Sequence, residues 1–395
     1  MRRLLDSLLF VSFLLSAGAL TASAQITRHL SVSAGSPEDK ALTEINATTD
    51  PAQKLALLDK FMADFGQGSL AILGNELYLE IYVEQKNTAK IYEYGDKILA
   101  ADPDNFDAAF TLTRTAGDAG DTDKMYAYAE KAAQIVQRFK TKPAPAGANP
   151  AVWQAQRKND LEQDSSSIAY IEYEFYNSAT QVKDMNQRAE LMARYVAAFP
   201  DSSYTPEAEL LIPVSYQQAQ NFPKMVDAAQ AILAKDPNNV DVLLLLADFY
   251  SDNSQHLDVA ETDAKKALDV LASATKPILM SDADWQKQVT LQKGLAWSVQ
   301  GYVDLSRKLN APAVTAFQTA APLLKDNPEM FARNQYRLGF AFVNLKRNSD
   351  AVQAFTDAAS VDTPYRVPAQ QKLEELKKAG AGTGSGTRHA PTKPS

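Results

Sequence analysis

The strongest constraint on this chain is that it repeats itself. Gln53, Phe65, Asp102, Pro103 and Asn105 recur as Gln187, Phe199, Asp236, Pro237 and Asn239, each 134 residues later, and Ile98-Leu99-Ala100 recurs as Ile232-Leu233-Ala234. The register continues through Asp107 and Asp241, Leu112 and Leu246, and Lys142-Pro143 and Lys276-Pro277, while Trp153 meets Trp285 with a two-residue slip. An internal duplication is expected, with copies at about 45–178 and 179–312 followed by terminal repeats over 313–378. Since 134 is close to four times the helix-pair period of about 34 residues, each copy has room for four short helical hairpins.

Apolar periodicity and chain breakers then place helix pairs at about 37–65, 68–101, 105–140, 150–199, 203–236, 239–274, 281–326 and 328–361, with a last helix at 364–378. Two first helices read as extended, 150–181 and 281–308, each after a Pro-containing connector. Ordering one repeat costs about 50 kcal/mol at ~1.5 kcal/mol per residue, which demands about 2,000 Å² of apolar burial. A lone hairpin cannot bury that much, so each must lean on its neighbours. Leu373 and Leu376, among Gln370, Gln371, Lys372, Glu374, Glu375, Lys377 and Lys378, have the one-sided pattern of a closing helix.

Within the copies the shorter unit is visible directly. Residues 106–132 place Leu112, a Gly120-Asp121 turn, and Ala129 and Ala132; residues 334–359 give Leu338, Gly339, Phe342, Ala351, Phe355 and Ala358; Trp297, Gly301, Ala313, Phe317 and Ala320 form another set. Pro103, Pro200 and Pro237 close units. Small residues on one helix admit the aromatic knobs of its neighbour, and Gly or Asn with Asp makes the turn. This pattern resembles the tetratricopeptide repeat (TPR) family over most of 37–365, with Gln335 in place of the first large residue of the best-fitting unit. The resemblance implies an all-α, right-handed superhelical solenoid of about eight hairpins with a C-terminal capping helix, whose first helices face a concave surface.

Reading the concave positions that the resemblance implies gives Glu76, Glu80, Glu84, Asp107, Asp118, Glu207, Asp241, Asp248 and Asp252, opposed only by Arg114; Phe110 shares that face. Toward the C-terminus the same positions become Tyr302, Arg333 and Tyr336, with Phe340 beside them. These are the candidate partner-binding residues. Their acidity suits a protein or peptide with a basic segment, and is also what a solubilising surface on an acidic protein would show. The Lys and Asn set by which some family members clamp a chaperone tail is absent here. Tyr170, Tyr173, Phe175 and Tyr176 read either as repeat core or as a carbohydrate or peptide pocket.

Composition narrows the chemistry. With 40 Lys+Arg against 48 Asp+Glu the chain stands at −8, which argues against a nucleic-acid partner held by phosphate contacts. Zero cysteines exclude disulfides, thiolate catalysis and Cys-ligated metals. His29 beside the cleavage site, His256 in an inter-helix turn and His389 in the tail are not placed to meet, the tail glycines form no phosphate loop, and Glu172 and Glu174, two residues apart, point to different sides of a helix, while Asp160, Glu162 and Asp164 a few turns earlier read as solvated surface acids. No enzyme, cofactor or metal is expected.

The N-terminus reads as an address. Arg2 and Arg3, an apolar stretch from Leu4 to Leu20, and Ala22-Ser23-Ala24 before Gln25 form a secretory signal peptide over 1–24, followed by a spacer at 25–36. Residues 379–395, rich in Gly, Ser, Thr and Pro, read as a disordered tail. The expectation is an exported, periplasmic or extracellular scaffold or adaptor acting in envelope assembly or secretion, with no membrane span after cleavage; the alternative is a periplasmic module for glycan or peptide ligands.

Overall fold

The computed structural model describes residues 32–278 and 280–383, together with Ile26 and Leu30; residues 1–24, read above as a signal peptide, His29 and the chain from 384 onward lie outside the described residues. Eighteen α-helices and no strands are found among them. In chain order these are α1 (Pro37–Ala47), α2 (Pro51–Phe65), α3 (Ser69–Glu84), α4 (Thr88–Ala101), α5 (Phe106–Asp118), α6 (Thr122–Thr141), α7 (Pro150–Gln163), α8 (Ser165–Thr180) and α9 (Met185–Ala198). There follow α10 (Thr205–Gln218), α11 (Phe222–Lys235), α12 (Val240–Asp252), α13 (Leu257–Ser273), α14 (Asp282–Ser306), α15 (Asn310–Leu323), α16 (Pro328–Asn344), α17 (Asn348–Ala359) and α18 (Arg366–Thr383).

Local chemistry sets the boundaries. Asn87, Asn105, Asp121, Asn239 and Asn327 each stand before a helix and accept a hydrogen bond from the amide three residues on, which satisfies one of the helix's orphan donors. Asp102 and Asp236 end α4 and α11, and the proline after each bars continuation. The helix bounds keep the sequence register: α4 and α11, and likewise α5 and α12, are displaced by 134 residues at both ends. The turn residues with positive φ follow suit, Lys86 with Gln220 and Gly120 with Ser254.

The chain divides into two compact units. The first comprises the described residues up to Lys183 together with Glu190–Ala208; the second comprises Asp184–Ala189 and the chain from Glu209 onward. In the first unit α3 packs on α4, α4 on α5, α5 on α6, and α8 on both α5 and α6. In the second the order runs α11, α12, α13, α14, α15, α16, α17, α18, with α12 also touching α14 and α14 touching α16. Each unit is thus a sequential stack of antiparallel hairpins in which helices meet their neighbours in the chain, the TPR-like arrangement.

The small-residue rule is met at named contacts. Gly339 of α16 lies under the Phe355 ring of α17, where a Cβ would come within 2.5 Å of the ring, and Gly301 of α14 stands in the same relation to Phe317 of α15 at 2.7 Å. Leu112, Ala129, Ala132, Phe317 and Phe355 are fully buried. Leu373 and Leu376 of α18 pack on the cluster around Phe355 and Ala369, closing the second unit.

Two sequence expectations need correction. The extended helix read over 150–181 is two helices, broken at Asp164 (φ −87°, ψ 3°). Asp164 is followed by three serines, whose side chains compete for backbone partners, and Ser165 Oγ donates to the carbonyl of Glu162. The counterpart over 281–308 has no such break and is the continuous 25-residue α14. The other correction is at the C-terminus, where α18 runs past Lys378 to Thr383.

Candidate partner-binding faces

The first-helix face of the second unit is built on α12, α14 and α16. Asp248 and Asp252 stand one turn apart on α12, and Arg333 and Arg337 one turn apart on α16. Arg333 donates from Nη2 to Asp248 Oδ1 at 2.7 Å, and from Nη1 to Asp248 Oδ2 at 3.1 Å and Asp252 Oδ2 at 2.8 Å. Arg337 donates to Asp252 Oδ1, and its guanidinium lies 4.3 Å from the Tyr302 ring of α14. The Tyr302 and Ser254 hydroxyls are hydrogen-bonded at 2.7 Å. Two cations therefore meet two anions, with a tyrosine on the intervening helix flanking them. Burial acts to lower the Arg333 pKa, but Asp248 and Asp252 outweigh it and hold the guanidinium above its ordinary value. Burial also pushes up the phenol of neighbouring Tyr365.

Asp248, Asp252, Tyr302 and Arg333 are thus brought together, but as an internal latch rather than an open acidic surface. Asp241 is also occupied, accepting from Gln292 Nε2 at 2.8 Å. Tyr336 packs edge-on against Phe340 and Phe355 at the margin of the core. Arg337 escaped the sequence reading although it follows Arg333 by one helical turn. Its pairing with residues 85 positions away leaves no local trace.

The first-helix face of the first unit lies on α3, α5 and α8, continued by the opening turn of α10. Phe110 and Arg114 form a stripe on α5, the Arg114 guanidinium lying 5.6 Å from the Phe110 ring. Tyr170 of α8 meets Phe110 edge-on at 5.8 Å, and Glu174, one turn further along α8, lies over Gly117 of α5. Burial, then Glu174, then Asp118 push the Tyr170 phenol up, while Arg114 opposes them. Tyr176 stacks on Tyr204 at 4.9 Å, and its phenol is pushed up by burial and by a hydrogen bond to Glu207. Tyr173 is 48% exposed, whereas Phe175 is core.

Of the acids singled out in this unit, Glu76 accepts from Asn105 Nδ2 at 2.8 Å and so supports the cap of α5. Asp107 sits exposed in the first turn of α5. Glu80, Glu84 and Asp118, with Glu174, form no ion pair with Lys or Arg among the described residues. Glu174 and Tyr204 were not among the candidates. The signal for Glu174 is the α8 face it shares with Tyr170 once the break at Asp164 is known, whereas Tyr204 stands just before α10 and had none.

His256 precedes α13 in a left-handed conformation (φ 44°, ψ 44°) without a side-chain cap, its ring edge-on to Tyr250 at 5.1 Å. No group of three or more His, Asp or Glu able to hold a metal occurs among the described residues. No described helix is long and apolar enough to cross a membrane.

No family model and no curated protein matches the chain. Among solved structures it is similar to the APC/C hetero-tetramer Cut9–Hcn1 (12% identity over 86% of this chain and 56% of that one, TM-score 0.40) and to yeast Tom70 (10%, 92% and 72%, 0.38). It is also similar to the TPR domain of P58(IPK) (10%, 87% and 99%, 0.30). The chain thus spans 56% of the length of the first of these. The TPR-like architecture is defined by the hairpins themselves, by their register and by the glycine-under-ring contacts.

Proposed function

We propose that this protein is a binding scaffold for another protein, and that the first-helix face of its first unit is where a basic segment of the partner docks. The observation that carries this reading is the set of unpaired carboxylates at Glu80, Glu84, Asp118 and Glu174 beside half-exposed tyrosines, opposed by Arg114 alone. Complementary charge at such a face accelerates encounter and rejects wrong partners, and rings with a polar tip suit a wet binding surface. The second unit does not offer the same surface, because Arg333 and Arg337 already answer its aspartates.

A glycan-binding role draws less support, since Phe175 is core and Tyr170 and Tyr176 are partly buried. The chain carries no cysteine, which leaves no thiolate chemistry to it. For the setting, we propose export directed by residues 1–24 and action in envelope assembly or secretion.

Two experiments test the proposal. Partner capture from envelope extracts by the chain is repeated with Glu80, Glu84 and Asp118 changed to their amides, and at raised salt. Loss of the captured species in both arms is expected, and capture indifferent to both would refute the docking face. Mass spectrometry of the exported protein is expected to find Gln25 at its N-terminus; a protein retained with Met1 would refute export by cleavage.

A further inference from the structure

Two neighbouring hairpin turns of the second unit carry charge opposite to that of the chain as a whole. The α14–α15 turn reads Ser306-Arg307-Lys308-Leu309 and the α16–α17 turn Asn344-Leu345-Lys346-Arg347, with Asn348 and Ser349 following. Asn344 Nδ2 donates to Asn310 Oδ1 at 2.9 Å, so the two tips are held side by side. Residues 306–309 and 344–349 are exposed throughout, and they carry four cations and no acid in a chain that stands at −8. Lys308 (φ 62°) and Lys346 (φ 59°) occupy the left-handed position of their turns and form no ion pair among the described residues. Arg307 pairs with Glu261 and Arg347 with Asp350, yet the two arginine side chains stay 40% and 48% exposed. Between these cations Leu309 is 48% and Leu345 36% exposed. A lone exposed leucine is ordinary. Here the order is Arg-Lys-Leu on one tip and Leu-Lys-Arg on the other, so aligning the two left-handed lysines sets Leu309 opposite Arg347 and Leu345 opposite Arg307.

We propose that this pair of turns rests on an anionic lipid surface, with the leucines entering the headgroup layer and the lysines and arginines meeting lipid phosphates. The inference is independent of the docking face on the first unit. Aliphatic side chains flanked by basic ones are the combination that favours a membrane interface, where burial of the apolar part and attraction to anionic headgroups add. The negative charge of the rest of the chain opposes this only weakly, because salt screens carboxylates more than about 8–10 Å from the surface. Of the acids beside the tips, Glu261 and Asp350 are bound to Arg307 and Arg347, and Asp304 is half-buried. An acidic protein is the other occupant that the charge allows. Peptides, however, are held along a sheet edge or in a groove, whereas these leucines stand on exposed turn tips, which a plane meets more readily than a peptide does. Since no described helix is long and apolar enough to cross a bilayer, the contact made by these turns is peripheral.

The test uses the full chain, which has no cysteine, so that Leu309→Cys takes a single environment-sensitive fluorophore. Val367→Cys, at an exposed position of α18, carries the same label as a reference. Vesicles are made of equimolar phosphatidylglycerol and phosphatidylcholine, or of phosphatidylcholine alone. A blue shift of the label at 309 with the anionic vesicles only is expected, and none at 367. Replacing Lys308→Gln and Lys346→Gln weakens the vesicle titration about fivefold for each lysine lost, and raised salt weakens it as well. Circular dichroism establishes that each variant is folded. The proposal is overturned by equal shifts at 309 and 367, by equal shifts with the two kinds of vesicle, by a titration unmoved when both lysines are lost, or by no shift at all. A soluble polyglutamate that shifts the label at 309 through the same lysines, where vesicles do not, overturns it in favour of an acidic protein.

Discussion

Single side chains decide the close approach of these helices. Gly339 faces Phe355, a ring with no exposed surface and no room to retreat. Alanine gains about 1 kcal/mol of helix propensity there, but forcing a methyl to 2.5 Å from a packed ring costs about 1–3 kcal/mol, so the clash dominates. Gly339→Ala is therefore expected to lower the urea midpoint, and Phe355→Ala to cost more, about 3–5 kcal/mol through its cavity. A second residue reports on pH. Burial pushes the half-buried Asp263 carboxyl of α13 up to about 6 from its ordinary 3.8. Between those values the folded chain binds more protons than the unfolded one, so this group makes stability fall as pH rises through that window. Asp263→Asn should remove that slope and raise the melting temperature at pH 8 while leaving it nearly unchanged near pH 4. An unaltered pH profile would show that Asp263 titrates normally.

Among the elements, α7 and α16 show opposite ways of being held. The α7 helix buries only Trp153, whose indole Nε1 donates to the Lys142 carbonyl at 3.1 Å, while Arg157 donates to the Phe139 and Lys140 carbonyls at the end of α6. Trp153→Ala is expected to raise amide exchange across 142–163 with little change in the exchange of α3–α5. By contrast, α16 is tied to α12 by charge. Arg333→Met should destabilise the second unit by about 3 kcal/mol, the low end for stranding a buried charge because Asp248 keeps 18% exposure. Adding Asp248→Leu is expected to restore most of the loss in denaturant titrations. Hairpin phasing, the alanine and aromatic positions and the closing helix were legible in the sequence because each arises within about 34 residues. The break at Asp164 was not, since helical periodicity on either side runs straight through it. The Arg333 latch was invisible for a different reason: a pairing 85 residues apart follows from stacking, which a local pattern does not encode.

Across the molecule, cohesion comes from each hairpin meeting its neighbours in the chain, so damage is expected to stay local. Gly339→Ala should speed hydrogen exchange in α15–α18 and spare α3–α6; uniform acceleration would contradict a stack of nearest-neighbour contacts. The concave acids illustrate how far sequence carries function. Counting charge by position put nine carboxylates on one surface, yet Glu76, Asp241, Asp248 and Asp252 are spoken for by Asn105, Gln292 and Arg333. Position is a one-dimensional property, whereas neutralisation depends on what the next helix presents. The internal closure of one of two equivalent faces also bears on valence. Two acidic first-helix faces would ordinarily be expected to titrate as a two-site receptor, but with the aspartates of the second already answered by its own α16 the chain should bind one equivalent of partner.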